Sequence, residues 1–225
     1  MSSPTIVLHH LEDSRSIRIA WLLEELDVPY EIKVYKRLPS KLAPPELLQV
    51  HPLGKSPVIV DNSANPPFAV AESGAIIEYL TEKFPNSLVP ARGTQEKVNY
   101  TYWLHASEGT LAPPLVMKVI FNETLKNVPF FISPIIGLVF NKISEKVTDP
   151  TIERVLAYLE SELVFHKYAA GNEFTAADIQ LYRTLRNALV YTPQFVGPKT
   201  KEWLELIRQR AAFKKVAYLD PEVQK

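Results

Sequence analysis

The chain has 225 residues, 46% of them hydrophobic, enough to bury one large core or two small ones. Lys+Arg and Asp+Glu each number 25, and a net charge of zero speaks against a nucleic-acid binder, which carries a basic excess. Cysteine is absent, which excludes disulfides and every mechanism that needs a protein thiol.

MSSPTIVLHH has neither the basic nor the apolar region of a secretory signal. TIVLHH at 5–10 reads as a strand, and a helix follows from about Ser14 to Leu26. That helix is apolar almost all round (Ile17, Ile19, Ala20, Trp21, Leu22, Leu23), so it must be covered on several sides, as between a sheet and another domain. YEIKVYK at 30–36 alternates like a strand, which implies a right-handed crossover from the first. APPELLQV at 43–50 holds a short helix at most, its prolines in the first turn.

His51 to Leu80 organises the rest. PVIV and FAVA, separated by the turn formers NSANPP, predict a hairpin. AESGAIIEYL begins a helix, with Ser73 as N-cap and Ile76, Leu80 and Phe84 at helical spacing. Pro57 opens the first hairpin strand, a place suited to the cis bond that is almost confined to proline. A turn there predicts that Val58 presents an open N–H and C=O to an extended, peptide-like ligand. Glu72 and Ser73 lie where a strand delivers the chain to a helix N-terminus, which attracts carboxylates. Glu72 adds an acceptor for an ammonium group, and Gly74 has no side chain to obstruct approach. An amino-acid head with a peptide tail describes glutathione.

FPNSLVPARG at 84–93 is a turn-rich connector. The predicted division is residues 1–85, a linker at 86–93, and an all-helical domain at 94–225. A long helix starts near Thr94 and runs through Trp103 to a break at Gly109–Pro114, either a kink or an interruption. VPFFISPIIGLVF at 128–140 is too short for a membrane span of about 20 residues, and is read as buried core or as a lipid-tolerant surface. The sequon at Asn122 carries no weight without secretion. Ile152, Val155, Leu156, Leu159 and Leu163 mark an amphipathic helix. Thr175 and Asp178 have capping-box spacing, and WLELIRQRAAF at 203–213 is the last predicted helix.

HPLGKSPVI followed by AESGAIIEYL resembles the glutathione-binding half of glutathione transferases. SRSIRIAWLLEEL resembles their first helix, and NEFTAADI the capping box of their helical domain. The combination of APPELL, HPLGKSPV and WLLEEL is similar to a fungal and bacterial group of that family. The resemblance implies an N-terminal thioredoxin-like domain followed by a C-terminal all-helical domain, with glutathione as co-substrate and no metal. It further implies a cytoplasmic homodimer of detoxification or stress response. Such a protein joins glutathione to hydrophobic electrophilic small molecules, with reduction of organic hydroperoxides as a side activity. It involves no nucleic acid and no integral membrane segment.

The thiolate is the reactive form of glutathione, so the site needs a donor that stabilises it. A hydroxyl at the N-terminus of the first helix meets that need, and Ser14 is placed for it. The family uses a Ser or Tyr near the end of the first strand. This chain departs from the usual spacing: five residues before Arg18 stands Asp13, and Ser14 lies four before. The bland reading makes Ser14 an N-cap worth about 1 kcal/mol. Asp13 is the other cap candidate, and His9 and His10 are alternative catalytic groups. For the ligand, the resemblance implies that Val58 pairs with the cysteinyl part and that Glu72 and Ser73 hold the γ-glutamyl head. Lys55 or Lys41 would meet the glycine carboxylate; either is otherwise a solvated charge. His51 is read as a hydrogen bond within its turn, and Thr175 and Asp178 as folding determinants.

The acceptor is expected between the domains, against Tyr102, Trp103, His105, Glu108 and Met117, unless these serve as core or dimer contacts. By resemblance, Glu108 is a candidate to reach the ligand of a partner subunit. No histidine spacing suits a metal, and no phosphate loop or nucleophile elbow occurs. Two rival classes remain: a non-catalytic ligand-binding or regulatory protein of the same fold, and a protein–protein scaffold like those in translation factors.

Overall fold

β1 (Ile6–Leu11) is buried along its whole length because it runs inside a four-stranded sheet. The computed structural model describes residues 5–220. β2 (Tyr30–Tyr35) lies parallel to β1, in register from Ile6↔Tyr30 to Leu11↔Tyr35. β3 (Val58–Asp61) runs antiparallel on the other side of β1, and β4 (Phe68–Ala71) pairs antiparallel with β3. The order is β2-β1-β3-β4, the small mixed sheet of a thioredoxin-like unit. Parallel neighbours cannot be joined by a tight turn, so α1 (Ile17–Glu25) makes the crossover. A short 3-10 turn at Pro45–Gln49 precedes β3, and α2 (Ser73–Lys83) follows β4. Asp61 is fully buried at the end of β3, where Tyr79 and Lys83 of α2 donate to its carboxylate.

The chain divides into two compact units. Residues 90–206 form the helical one. α3 (Gln95–Ala106) starts at Thr94, whose side chain accepts from Lys97 N at 3.2 Å. Of the two forms open at Gly109–Pro114 the interruption is excluded: a π-turn, Ser107–Leu111, leads directly into α4 (Ala112–Asn127). Pro113 and Pro114 fall in the first turn of α4, where a missing N–H removes no helical bond. α5 (Ser133–Ile143), a second π-turn at Ser144–Thr148, α6 (Asp149–Phe165), α7 (Ala176–Tyr191) and α8 (Pro198–Arg208) complete the series. Of the two readings of 128–140, buried core is overturned. No residue of α5 is buried, and Phe130, Phe131, Ile135 and Leu138 are all exposed. Among the described residues no helix is long and apolar enough to cross a membrane.

The predicted last helix, 203–213, is two helices. α8 ends at Arg208, and α9 (Ala211–Val216) begins after an extended Arg210. A tertiary ion pair holds that interruption: Arg210 donates to both Glu25 oxygens, at 2.6 and 2.7 Å. Here the sequence-based division needs correcting, because residues 207–220 pack with the first unit, not with the helical one. They supply the cover that α1 requires. Ile17 to Leu23 are all buried, against the sheet, α2 and α9, and Trp21 meets Phe213 edge-on at 5.0 Å.

Candidate active site

Strand directions bring four loops to one end of the sheet. β1, β2 and β4 finish there and β3 begins there. The segment 12–16, the Ser56–Pro57 bond and the Glu72–Ser73 junction therefore gather from distant parts of the chain. The Ser56–Pro57 peptide is cis. Just before it, Gly54 has φ +56, and a Cβ there would lie 2.7 Å from Leu48 Cδ2, so the His-Pro-Leu-Gly turn needs its glycine. His51 closes the turn by accepting from Leu53 N at 3.3 Å, as its sequence reading has it.

Ser14 sits at the centre, almost buried. Its Oγ accepts from Ser16 N at 3.2 Å and lies 2.6 Å from Ser16 Oγ. Ser16 Oγ in turn lies 2.7 Å from His10 Nδ1. Burial lowers the His10 pKa to about 4 against a small opposing effect of Glu12, so the ring is neutral at ordinary pH. Ser56 Oγ donates to His9 O at 2.9 Å, accepts from Leu11 N at 3.1 Å, and stands 3.5 Å from Ser14 Oγ. His9, on the opposite face of β1, shares a 2.8 Å bond with Tyr35 Oη and stacks on that ring.

Neither Ser14 nor Asp13 is the N-cap of α1. Ser16 takes that position, and no side chain caps the helix. Asp13 is exposed at φ 48, and its carbonyl accepts from Arg37 Nη2 at 3.0 Å. Arg37 also donates to Glu12 O at 3.0 Å and Lys41 O at 2.8 Å, which holds the Lys41 turn beside the Ser14 loop. The Lys41 and Lys55 side chains are exposed and in no ion pair among the described residues.

At the start of α2 the predicted cap is displaced by one residue. Glu72 is the N-cap, exposed at φ 74 and ψ 129 with no side-chain cap bond, and Ser73 is the buried first helical residue. A non-glycine residue at positive φ stores roughly 1–3 kcal/mol, which the surrounding fold must offset. Both α1 and α2 thus point uncapped N-termini at this end of the sheet, favourable to an anion.

Val58 does not have the open main chain expected of it. It is wholly buried and in register with His9 on one side and Ala71 on the other, so strands occupy both of its edges. The residue before the cis bond, Ser56, is different: no turn, loop or cap bond of the described residues engages its N–H or C=O. Ser16, Arg37 and the Ser56 hydroxyl were missed by sequence reasoning, which places the main-chain grip only in the segment around the Ser56–Pro57 bond. A Ser two positions from Ser14 carried a weak signal; nothing local marks Arg37, whose targets lie as far as 25 residues away.

In the helical unit Tyr102 is partly exposed and Trp103 is core, and both rings pack on Tyr158. Thr175 and Asp178 form the predicted capping box. The buried Asp178 carboxylate accepts from Ala169 N, Thr175 N, Thr175 Oγ1 and Trp203 Nε1 at 2.8–3.1 Å. No group of His, Asp and Glu among the described residues is arranged to hold a metal ion.

This site end, on a thioredoxin-like sheet joined to a helical unit, defines the class, and the comparisons agree. Residues 3–82 match the family described as "Glutathione S-transferase, N-terminal domain", and residues 120–211 match "Glutathione S-transferase, C-terminal domain". Glutathione S-transferase 3 of Schizosaccharomyces pombe is 37% identical, over 92% of this chain and 84% of its own length. Glutathione S-transferase 1 of Saccharomyces cerevisiae is 31% identical, over 95% of this chain and 94% of its own. A solved glutathione S-transferase from Actinobacillus pleuropneumoniae superposes with a TM-score of 0.76 at 29% identity, covering 98% of this chain and 96% of that one. The chain belongs to the glutathione S-transferase family.

Proposed function

We propose that this chain is an enzyme that joins the thiolate of glutathione to small apolar electrophiles, with Ser14 as the catalytic residue. The observation that carries it is the meeting of the Ser14 hydroxyl, the Ser56 main chain and two uncapped helix N-termini at one sheet end, in a member of this family. Ser14 donates to the sulfur and, with the N-terminus of α1, favours its ionised form. The thiolate then attacks the electrophilic carbon: a C–S bond forms and the leaving group departs with its electron pair. With a hydroperoxide the same thiolate attacks oxygen, the O–O bond breaks, and a second glutathione completes the disulfide, giving alcohol and water.

Glutathione is held along its cysteinyl main chain by Ser56 and not by Val58. Support for that assignment is the strand pairing on both edges of Val58, set against the unengaged backbone of Ser56. Glu72 takes the ammonium of the γ-glutamyl head, and the N–H groups around Ser73 take its carboxylate. Lys41 and Lys55 are the candidate partners of the glycine carboxylate. The working form is a cytoplasmic homodimer.

Ser14→Ala tests the reading. With 1-chloro-2,4-dinitrobenzene, kcat/KM is expected to fall about a hundredfold, the usual cost of one anion-stabilising donor. Binding of glutathione in a calorimeter should change little. Unchanged turnover removes Ser14 from the mechanism.

A further inference from the structure

Behind Ser14 stands a buried chain of hydrogen-bonding groups that the proposed chemistry does not use. Ser14 Oγ, Ser16 Oγ and His10 Nδ1 are linked by contacts of 2.6 and 2.7 Å. Ser16 is wholly buried and His10 nearly so. Each hydroxyl has one proton, and a neutral imidazole has one N–H, so the chain can run in only two directions. If His10 carries its proton on Nε2, Nδ1 accepts from Ser16, Ser16 accepts from Ser14, and Ser14 turns only lone pairs outward. If the proton is on Nδ1, His10 donates to Ser16 and Ser16 donates to Ser14. The Ser14 proton is then free to point out of the chain.

The second direction suits an anionic sulfur. In it Ser14 Oγ accepts from Ser16 N and from Ser16 Oγ–H, and among the described residues its one proton has a single competing acceptor, Ser56 Oγ at 3.5 Å. That separation is at the limit of a hydrogen bond, and the Ser56 proton is already given to His9 O at 2.9 Å. A thiolate in front of Ser14 is the stronger acceptor by far. Charge-assisted bonds are about twice as strong as neutral ones, and donors in a chain polarise one another.

We infer that His10 and Ser16 are positioning residues: as the Nδ1–H tautomer, His10 directs the Ser16 hydroxyl onto Ser14, and so aims the Ser14 proton at the glutathione sulfur. This rests on the reading of Ser14 as the thiolate donor. No proton is transferred along the chain: with His10 held as the Nδ1–H tautomer, the Ser14 proton points out of the chain before and after the thiolate binds. The burial that keeps His10 neutral agrees with this, because a neutral ring has a direction to choose.

The test is the pKa of glutathione bound to the enzyme, read from thiolate absorbance near the far ultraviolet across a pH series, in wild type, Ser14→Ala, Ser16→Ala, His10→Phe and His10→Asn. Ser14→Ala should raise that pKa most. Ser16→Ala and His10→Phe should each raise it enough to cut the thiolate at pH 6.5 by about tenfold, with kcat falling in step and glutathione affinity held. His10→Asn, whose amide N–H can stand where Nδ1–H stood, should recover most of what His10→Phe loses. A raised value in Ser14→Ala, with wild-type values in both Ser16→Ala and His10→Phe, overturns the relay and leaves Ser14 standing. A wild-type value in Ser14→Ala overturns both readings. Should His10→Phe not fold, Ser16→Ala decides by itself. Nitrogen-15 spectra of labelled histidine in the glutathione complex give a direct check, and an Nε2–H tautomer at His10 overturns the inference.

Discussion

The N-termini of α1 and α7 answer the same chemical problem in opposite ways. Both begin near a hydroxyl residue, at a first turn whose backbone N–H groups have no carbonyl four residues back inside the helix. At α7 the chain supplies everything: Thr175 and Asp178 bond reciprocally, and the carboxylate takes four donors in a fully buried place. At α1 no side chain caps the helix, and Ser14 is held by the neighbours behind it with its front free. α2 repeats the open arrangement, with Glu72 strained and exposed. The closed terminus is satisfied by its own side chains; the other two have no side-chain cap.

The largest effect should come from breaking the closed end. Asp178→Ala leaves several buried donors unpaired, each worth roughly 1–3 kcal/mol, so a loss of about 4 kcal/mol is expected in urea unfolding. Turnover per folded molecule should survive. Loss of activity without loss of stability would erase the contrast between the two termini.

Next in size is the acid limb of stability. The pKa of His10 is lowered from 6.5 to about 4 in the folded chain, first by burial. Between those values the unfolded state binds a proton that the folded state refuses. The contribution is therefore complete above pH 6.5 and shrinks by ~3 kcal/mol as pH falls to 4. Urea unfolding at pH 7, 5.5 and 4 should show a shallower decline in His10→Asn than in wild type. Parallel declines would mean the imidazole is not buried neutral.

Ser14→Ala, about a hundredfold in kcat/KM, should cost less than 1 kcal/mol of stability, the reverse of the Asp178 pattern. A cost above 2 kcal/mol would make Ser14 a cap like Thr175. Smallest is Glu72→Gly. Relief of the φ 74 backbone should add about 1 kcal/mol of stability, while calorimetry shows glutathione bound roughly tenfold more weakly. Equal affinity would show that Glu72 gains nothing from its strained position.

Much of the fold was legible in the residues, and the reasons are local. Alternation in YEIKVYK, the turn formers of NSANPP and the Thr175–Asp178 spacing each act within a few residues, so they survive without tertiary information. The sequence reading erred where packing outweighed local signals. The Gly109–Pro114 stretch has the composition of a break, yet Ser107 donates to Gln180 O at 3.0 Å and the chain passes as a π-turn. The run at 203–213 reads as one helix, yet Arg210 is drawn out to Glu25, 185 residues away. Val58 reads as an open edge because the hairpin's second neighbour, β1, is invisible in the hairpin itself.

Family, glutathione and the acidic helix junction were thus written in the order of the residues, because each rests on short motifs whose chemistry is local. Which hydroxyls meet at the end of the sheet, and what stands behind Ser14, was decided only when β1, the cis turn and α1 came together. Ser14 and Ser56 are 42 residues apart and 3.5 Å from each other. A hydrogen bond depends on tenths of an ångström, and a spacing in sequence cannot specify those until the sheet has closed.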